Sequence, residues 1–221
     1  MLIFFGRHLQ PKISGKCKKD PSDNLTRSAH KKAYSVANRF KSQKIEWVVV
    51  SEFRRSEMCG TATTDQLRIG REKLIVNPQV NELEIPSIWG QEYSSTIMRS
   101  YLDWRSNIFD NPNNNNFATP FPLDPDAESF LELCQRQDTL LDWLSSFSGN
   151  KIVWGHSQAI EAMLYRISTE QPEKIDPVNF IQQYKTFFPR NYGDFATLHF
   201  DESAKEWTIL AHGQQTPFIP K

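Results

Sequence analysis

The chain has 221 residues, 38% of them apolar, 24% charged and 12% aromatic, which is enough to bury one sizeable core and excludes a disordered polar tail or a disulfide-stapled miniprotein. Lys plus Arg and Asp plus Glu both number 26, so no global field draws the protein to nucleic acid or to an anionic membrane. The balance is uneven: residues 1–50 hold eleven basic residues against Asp20, Asp23 and Glu46, a local excess that suits a small anionic partner.

In chain order, the apolar run Leu2–Phe5 has the length of a buried strand. Residues 27–43 place Ala29, Ala33, Val36 and Phe40 on one stripe of a helix, with Asn24 or Thr26 in position to cap it. Ile45–Val50 reads as a second strand, and residues 54–68 as a weaker helix. Between residues 106 and 123, Asn111-Pro112, the run Asn113–Asn116, Pro120 and Pro122 supply no core. That stretch is expected to be an excursion from the domain, either disordered or part of a lid. Asp124-Pro125 resembles a cap with proline in the first helical position, opening a helix to about Phe147 whose Phe130, Cys134, Leu141 and Leu144 share a face.

Lys151–Trp154 is a third strand, followed by a helical stripe of Ala159, Ile160, Met163, Leu164 and Ile167. Phe195–Phe200 and Trp207–Leu210 read as a β-hairpin on the sheet edge. Strand-then-helix repetition without an internal repeat predicts a single α/β domain, residues 1–221, with a largely parallel sheet. Cys17, Cys59 and Cys134 have neither paired spacing nor a metal-finger histidine nearby, so no disulfide framework or zinc site is expected and a reducing cytoplasm is the expected compartment. The N-terminal apolar run is too short, and lacks the preceding basic segment, for a secretory leader; no stretch has the length of a membrane span.

Ligands of open α/β sheets bind where strands end at their carboxyl edge. The first strand leads into Gly6-Arg7-His8, the second into Ser51-Glu52-Phe53-Arg54-Arg55, and the third into Gly155-His156-Ser157. Two imidazoles and at least two guanidiniums then converge on one edge, with helix N-termini behind them. A phosphoryl group is the natural ligand: Arg forks onto phosphate oxygens, and neutral His is a competent nucleophile toward phosphorus.

At these residues the chain resembles the histidine phosphatase superfamily, the phosphoglycerate-mutase-like proteins. Phe4-Phe5-Gly6-Arg7-His8 is similar to the family's first strand with its Arg-His-Gly motif, and Leu25-Thr26 with Ala29 and Ala33 to the first helix. Val48–Ser51 through Arg55 and Thr61-Ala62 is similar to the block in which a Ser ends a strand and an Arg follows four residues later. Val80-Asn81-Glu82-Leu83-Glu84-Ile85-Pro86 looks like the block that carries the acid, and Lys151–His156 like the strand leading to the second histidine.

The resemblance implies a three-layer α/β/α sandwich of the phosphoglycerate-mutase-like type with a lid at about residues 88–130. It implies a metal-independent phosphatase without cofactor, acting on a small phosphorylated substrate. His8 is implied as the nucleophile, with Arg7, Arg55 and His156 holding the phosphoryl oxygens and Glu82 as the acid; Glu84, two residues on, is the alternative acid. Two positions depart from the family pattern. Leu9 stands where the motif has Gly, and its Cβ is expected to narrow the pocket or restrict the backbone approach to phosphate; Ser157 stands where Gly commonly follows the second histidine.

Competing readings are mutase-type phosphoryl transfer, a phosphate binder without turnover, and a serine α/β-hydrolase. The last takes Gly155-His156-Ser157-Gln158-Ala159 as an approximate nucleophile elbow, with His212 as base and Asp176 or Asp194 as orienting acid. It leaves Arg7, His8 and Arg55 without a role. Arg54 and Arg55 are adjacent, so one faces elsewhere. Lys12, Lys16, Lys18 and Lys19 read as a solvated loop or as an attractor for the anion, while His30, His199, His212, Trp89 and Trp104 read as surface or packing residues.

Overall fold

A computed structural model describes residues 1–12, 20–110, 115–168 and 191–214. Its centre is a six-stranded sheet ordered β3-β2-β4-β1-β5-β6. The strands are β1 (Leu2–Arg7), β2 (Ile45–Val50), β3 (Leu74–Val76), β4 (Asn150–Gly155), β5 (Phe195–Asp201) and β6 (Glu206–Gln214). The β3-β2-β4-β1 part is parallel, whereas β5 and β6 add antiparallel as the expected hairpin.

The side-chain period of two divides β1 between two cores. Ile3 and Phe5 join Val49, Val153 and Leu198 on one face, packed on α4 (Phe130–Ser145) and α5 (Ser157–Ser168). Phe4 joins Val48, Val50, Ile152 and Trp154 on the other, packed on α1 (Arg27–Asn38) and α2 (Arg54–Leu67). Helices on both faces make the three layers. Thr26, not Asn24, caps α1: its side chain accepts from Ala29 N at 3.1 Å.

Two expectations are corrected. Asp124-Pro125 does not open α4. The helix begins five residues later, where Ser129 and Glu132 form a reciprocal capping box; such a box satisfies two orphan amides at once, and an Asp-Pro pair satisfies fewer. Asp124 instead accepts from Ser87 N at 2.7 Å and Asp126 N at 3.0 Å. Second, the described part of residues 106–123 does contribute to a core, while Asn111, Pro112, Asn113 and Asn114 lie outside the described residues. Ile108, Phe117 and Phe121 are buried in a third apolar cluster with Met98, Tyr101 and Trp104, which extends to Phe130 and Leu133 of α4 and Ala162 and Tyr165 of α5. Much of this cluster comes from α3 (Thr96–Asp110), where Met98, Tyr101, Trp104 and Ile108 repeat at helical spacing. Helix α5 is therefore buried on two faces, one toward the sheet and one toward this cluster.

Candidate active site

Parallel register brings three strand ends level. Arg7 pairs with Gly155 and Val50 with Trp154; His8 N then donates to Gly155 O at 2.9 Å. The residues that follow, His8, Ser51 and His156, lie on one edge of the sheet, and all three are buried. The packing of β1 against β4 at this edge depends on a small residue: a Cβ on Gly155 would meet the Phe5 ring at 2.5 Å.

The first turn of α2 carries Arg54 and Arg55 to opposite destinations. Arg54 pairs with Glu57 at 2.6 Å on the exposed side. Arg55 is 2% exposed and turns inward, Nε donating to His8 Nε2 at 3.1 Å and an Nη donating to Asp20 O at 2.7 Å. Burial pulls the Arg55 guanidinium down to about 10, against the opposing pull of Glu82, Asp23, Tyr192 and Asp20, so it stays cationic at neutral pH. Because an arginine Nε always carries hydrogen, His8 Nε2 is the acceptor; its Nδ1 then donates to Leu9 O at 2.7 Å. The imidazole is thereby fixed as the neutral tautomer with its lone pair on Nε2.

Arg7 and His156 complete the cluster. The His8 and His156 rings lie 5.0 Å apart, and His156 Nε2 is 2.8 Å from Ser51 Oγ. Aromatic rings back both pairs. Tyr192 lies under the Arg7 guanidinium at 4.4 Å and against His8 at 5.5 Å, while Phe53 lies under Arg55 at 4.7 Å and edge-on to His156 at 4.8 Å.

Glu82 borders a small cavity of about 40 Å³ with Arg55, Phe53, Leu83, Ile88, Trp89, Tyr101 and Gln158. Its carboxylate accepts from Gln158 N, in the first turn of α5, at 2.9 Å. Its backbone is held by Arg136 of α4, whose guanidinium donates to Gln79 O, Asn81 O and Glu82 O and pairs with Glu128 at 2.7 Å. Glu84 is instead tied to Asn81 Nδ2 at 2.8 Å and does not line this cavity.

Leu9, at the position of the motif glycine, is 1% exposed. Its side chain is buried among Phe4, Leu25, Ala29 and Cys59, beside Gly193, whose positive φ of 84° presents no Cβ there. An added Cβ at Gly193 would lie 2.8 Å from Leu9 Cδ2. The hydroxyl paired with a histidine ring here is that of Ser51; Ser157 opens α5, and the carboxylate of Asp194 accepts from Asn191 N at 2.8 Å. Asp176, Lys16, Lys18, Lys19 and Cys17 lie outside the described residues. Cys59 and Cys134 are free and buried. Among the described residues no group of three or more His, Cys, Asp or Glu side chains is gathered as for a metal ion, and no helix is long and apolar enough to cross a membrane.

Sequence reasoning missed Ser51 as the histidine's partner, the two backing rings, and Arg136. Ser51 was visible at a strand end. Tyr192 and Arg136 carry no local signal, because each reaches the site from a distant part of the chain.

Residues 3–188 match the histidine phosphatase superfamily (branch 1), and the chain belongs to that family. In fold it is similar to the α-ribazole phosphatase of Shigella flexneri (TM-score 0.75, 13% identity, 100% of both chains). It is also similar to a putative α-ribazole-5′-P phosphatase of Escherichia coli (0.73, 14%, 99% of this chain and 100% of that one) and to mycobacterial glucosyl-3-phosphoglycerate phosphatase (0.69, 13%, 95% and 96%). No curated protein sequence matches it.

Proposed function

We propose that the protein is a metal-independent phosphomonoesterase that transfers a phosphoryl group first to Nε2 of His8 and then to water. The observation that carries this reading is the 3.1 Å hydrogen bond from Arg55 Nε to His8 Nε2, which leaves a neutral nucleophilic nitrogen inside a cluster of fixed cations. On substrate binding the phosphoryl group takes the place of that contact, and Arg7, Arg55 and His156 bear its equatorial oxygens. Phosphoryl transfer depends mainly on alignment and on stabilising this spread charge, and the guanidiniums supply both.

The Nε2 lone pair forms the N–P bond as the P–O bond to the alcohol breaks; Glu82 gives that oxygen its proton. Water then attacks phosphorus, Glu82 takes the water's proton, and the N–P bond breaks to release inorganic phosphate and restore His8. General acid–base help of this kind contributes roughly 10²–10⁴-fold. The substrate is a small phosphorylated molecule, as the names of the similar phosphatases suggest, handled in the cytoplasm beneath a lid formed by residues 88–130.

The test is covalent trapping. Brief incubation with a turned-over ester, followed by digestion that avoids acid, leaves an acid-labile phosphoryl group on His8. Phosphate on Ser157, no adduct during demonstrable turnover, or activity that exhaustive chelation removes and a divalent ion restores would each overturn the mechanism.

A further inference from the structure

Resting on the reading of Glu82 as proton donor, we propose that the site selects phosphomonoesters whose leaving group is uncharged, apolar and flat, an aryl or aryl-like alcohol, over esters that carry a second anionic group. A leaving oxygen protonated by Glu82 departs into the cavity that Glu82 and Arg55 border. The rest of that wall is Phe53, Leu83, Ile88, Trp89 and Tyr101, with Gln158. Arg55 is the cation of this lining, and its charge belongs to the phosphoryl pocket, where it bonds His8 and the Asp20 carbonyl.

A second anion on the alcohol would therefore lose water against the apolar rings of this wall, where the described residues offer it no cation besides Arg55, which is costly. The charges beside the cavity make this worse. Glu82 itself carries a carboxylate on this wall, accepting from Gln158 N at 2.9 Å, so a second anion would meet a like charge there. The cavity of about 40 Å³ has room for little beyond a few waters. A larger group must enter against the edge-to-face pair of Phe53 and Trp89, whose centroids are 5.6 Å apart. A flat ring packs on such faces with little disruption. Trp89 stands beside Gly90, whose φ of +70° suits glycine, in the turn that carries the ring.

The experiment compares kcat/KM for phenyl phosphate and 4-carboxyphenyl phosphate. The two differ by one carboxylate, and that substituent eases departure of the leaving group, so a preference for the phenyl ester cannot come from leaving ability. The expected result is at least a ~10-fold preference for phenyl phosphate, about 1.4 kcal/mol, reduced in Trp89→Ala and shifted toward the carboxylated ester in Trp89→Lys. Equal or reversed values in the wild-type protein overturn the proposal while leaving the phosphatase reading intact. If neither ester releases phosphate while another phosphomonoester does, the proposal is overturned, because the class of ester it names is not a substrate; the trapping of a phosphoryl group on His8 decides the phosphatase reading separately.

Discussion

Arg55 donates from Nε to Nε2 of His8 at 3.1 Å, and this one contact joins the first turn of α2 to the end of β1 and sets the protonation of the imidazole. Lysine cannot reproduce it, since a single ammonium replaces a planar fork that serves His8 and the Asp20 carbonyl together. On substrate binding the same fork turns to a phosphoryl oxygen, and a hydrogen bond from a charged group is worth about 1.5–3 kcal/mol. Arg55→Lys should therefore lower kcat/KM by roughly 10–100-fold, and Arg55→Ala by more, in steady-state assays. An Arg55→Lys value within a few-fold of wild type would show that charge alone suffices.

Tyr192 backs Arg7 and His8 as Phe53 backs Arg55 and His156. Burial raises the Tyr192 hydroxyl pKa, against the opposing pull of Arg7 and Arg55, so the phenol stays neutral across the assay range. Its part is then that of a ring. Tyr192→Phe should keep activity, while Tyr192→Leu should lose about 2–30-fold in kcat/KM, the range of a cation–π contact worth ~0.5–2 kcal/mol. Equal losses in the two variants would assign the effect to the hydroxyl instead.

The parallel sheet and the cationic edge were legible because they are local: a strand's apolar run ends where its functional residues begin, as in Gly6-Arg7-His8 and Gly155-His156. What escaped was long-range. Helix α3 was hidden by the Asn- and Pro-rich stretch after it, although Met98, Tyr101, Trp104 and Ile108 carry the period. Strand β3 has only three residues and exists through its pairing with Val48–Val50. The destination of the Leu9 side chain was not legible, because a backbone motif position says nothing of where a side chain goes. Here the space beside Gly193 and the α1–α2 core receive it.

Lys151 offers a test far from the chemistry. It is fully buried at the start of β4, and Nζ donates to the Phe147 and Gly149 carbonyls at 2.7 and 2.9 Å. Burial lowers its pKa from 10.5 to about 8, despite Glu46 and Glu202. Between those two values the unfolded chain holds a proton that the folded one lacks, so this group makes stability rise with pH there; below about pH 8 both states are protonated and the penalty is full. The difference in unfolding free energy, wild type minus Lys151→Met, should thus climb by about 3 kcal/mol from pH 7 to 10.5, whatever constant offset the lost hydrogen bonds impose. Denaturant titrations at several pH values measure it. A flat difference would mean the amine keeps its ordinary affinity for protons.

The final prediction concerns Glu82, the carboxylate that α5 and Arg136 hold beside Arg55. Glutamine still accepts from the Gln158 amide but donates no proton to a leaving alcohol. Glu82→Gln should slow hydrolysis of alkyl phosphates strongly, by roughly 10²–10⁴-fold, and that of an activated aryl phosphate much less, because the latter departs unprotonated. His8→Ala should abolish both, since the nucleophile is needed whatever leaves. The contrast requires that phosphorylation of His8 limit the rate. If release of phosphate from His8 were limiting, loss of the base that activates water would slow both substrates alike, so burst kinetics come first. With that established, equal losses for the two leaving groups would remove Glu82 from the acid's role. Glu84→Gln, on the carboxylate tied to Asn81, would then be expected to show the leaving-group dependence in its place.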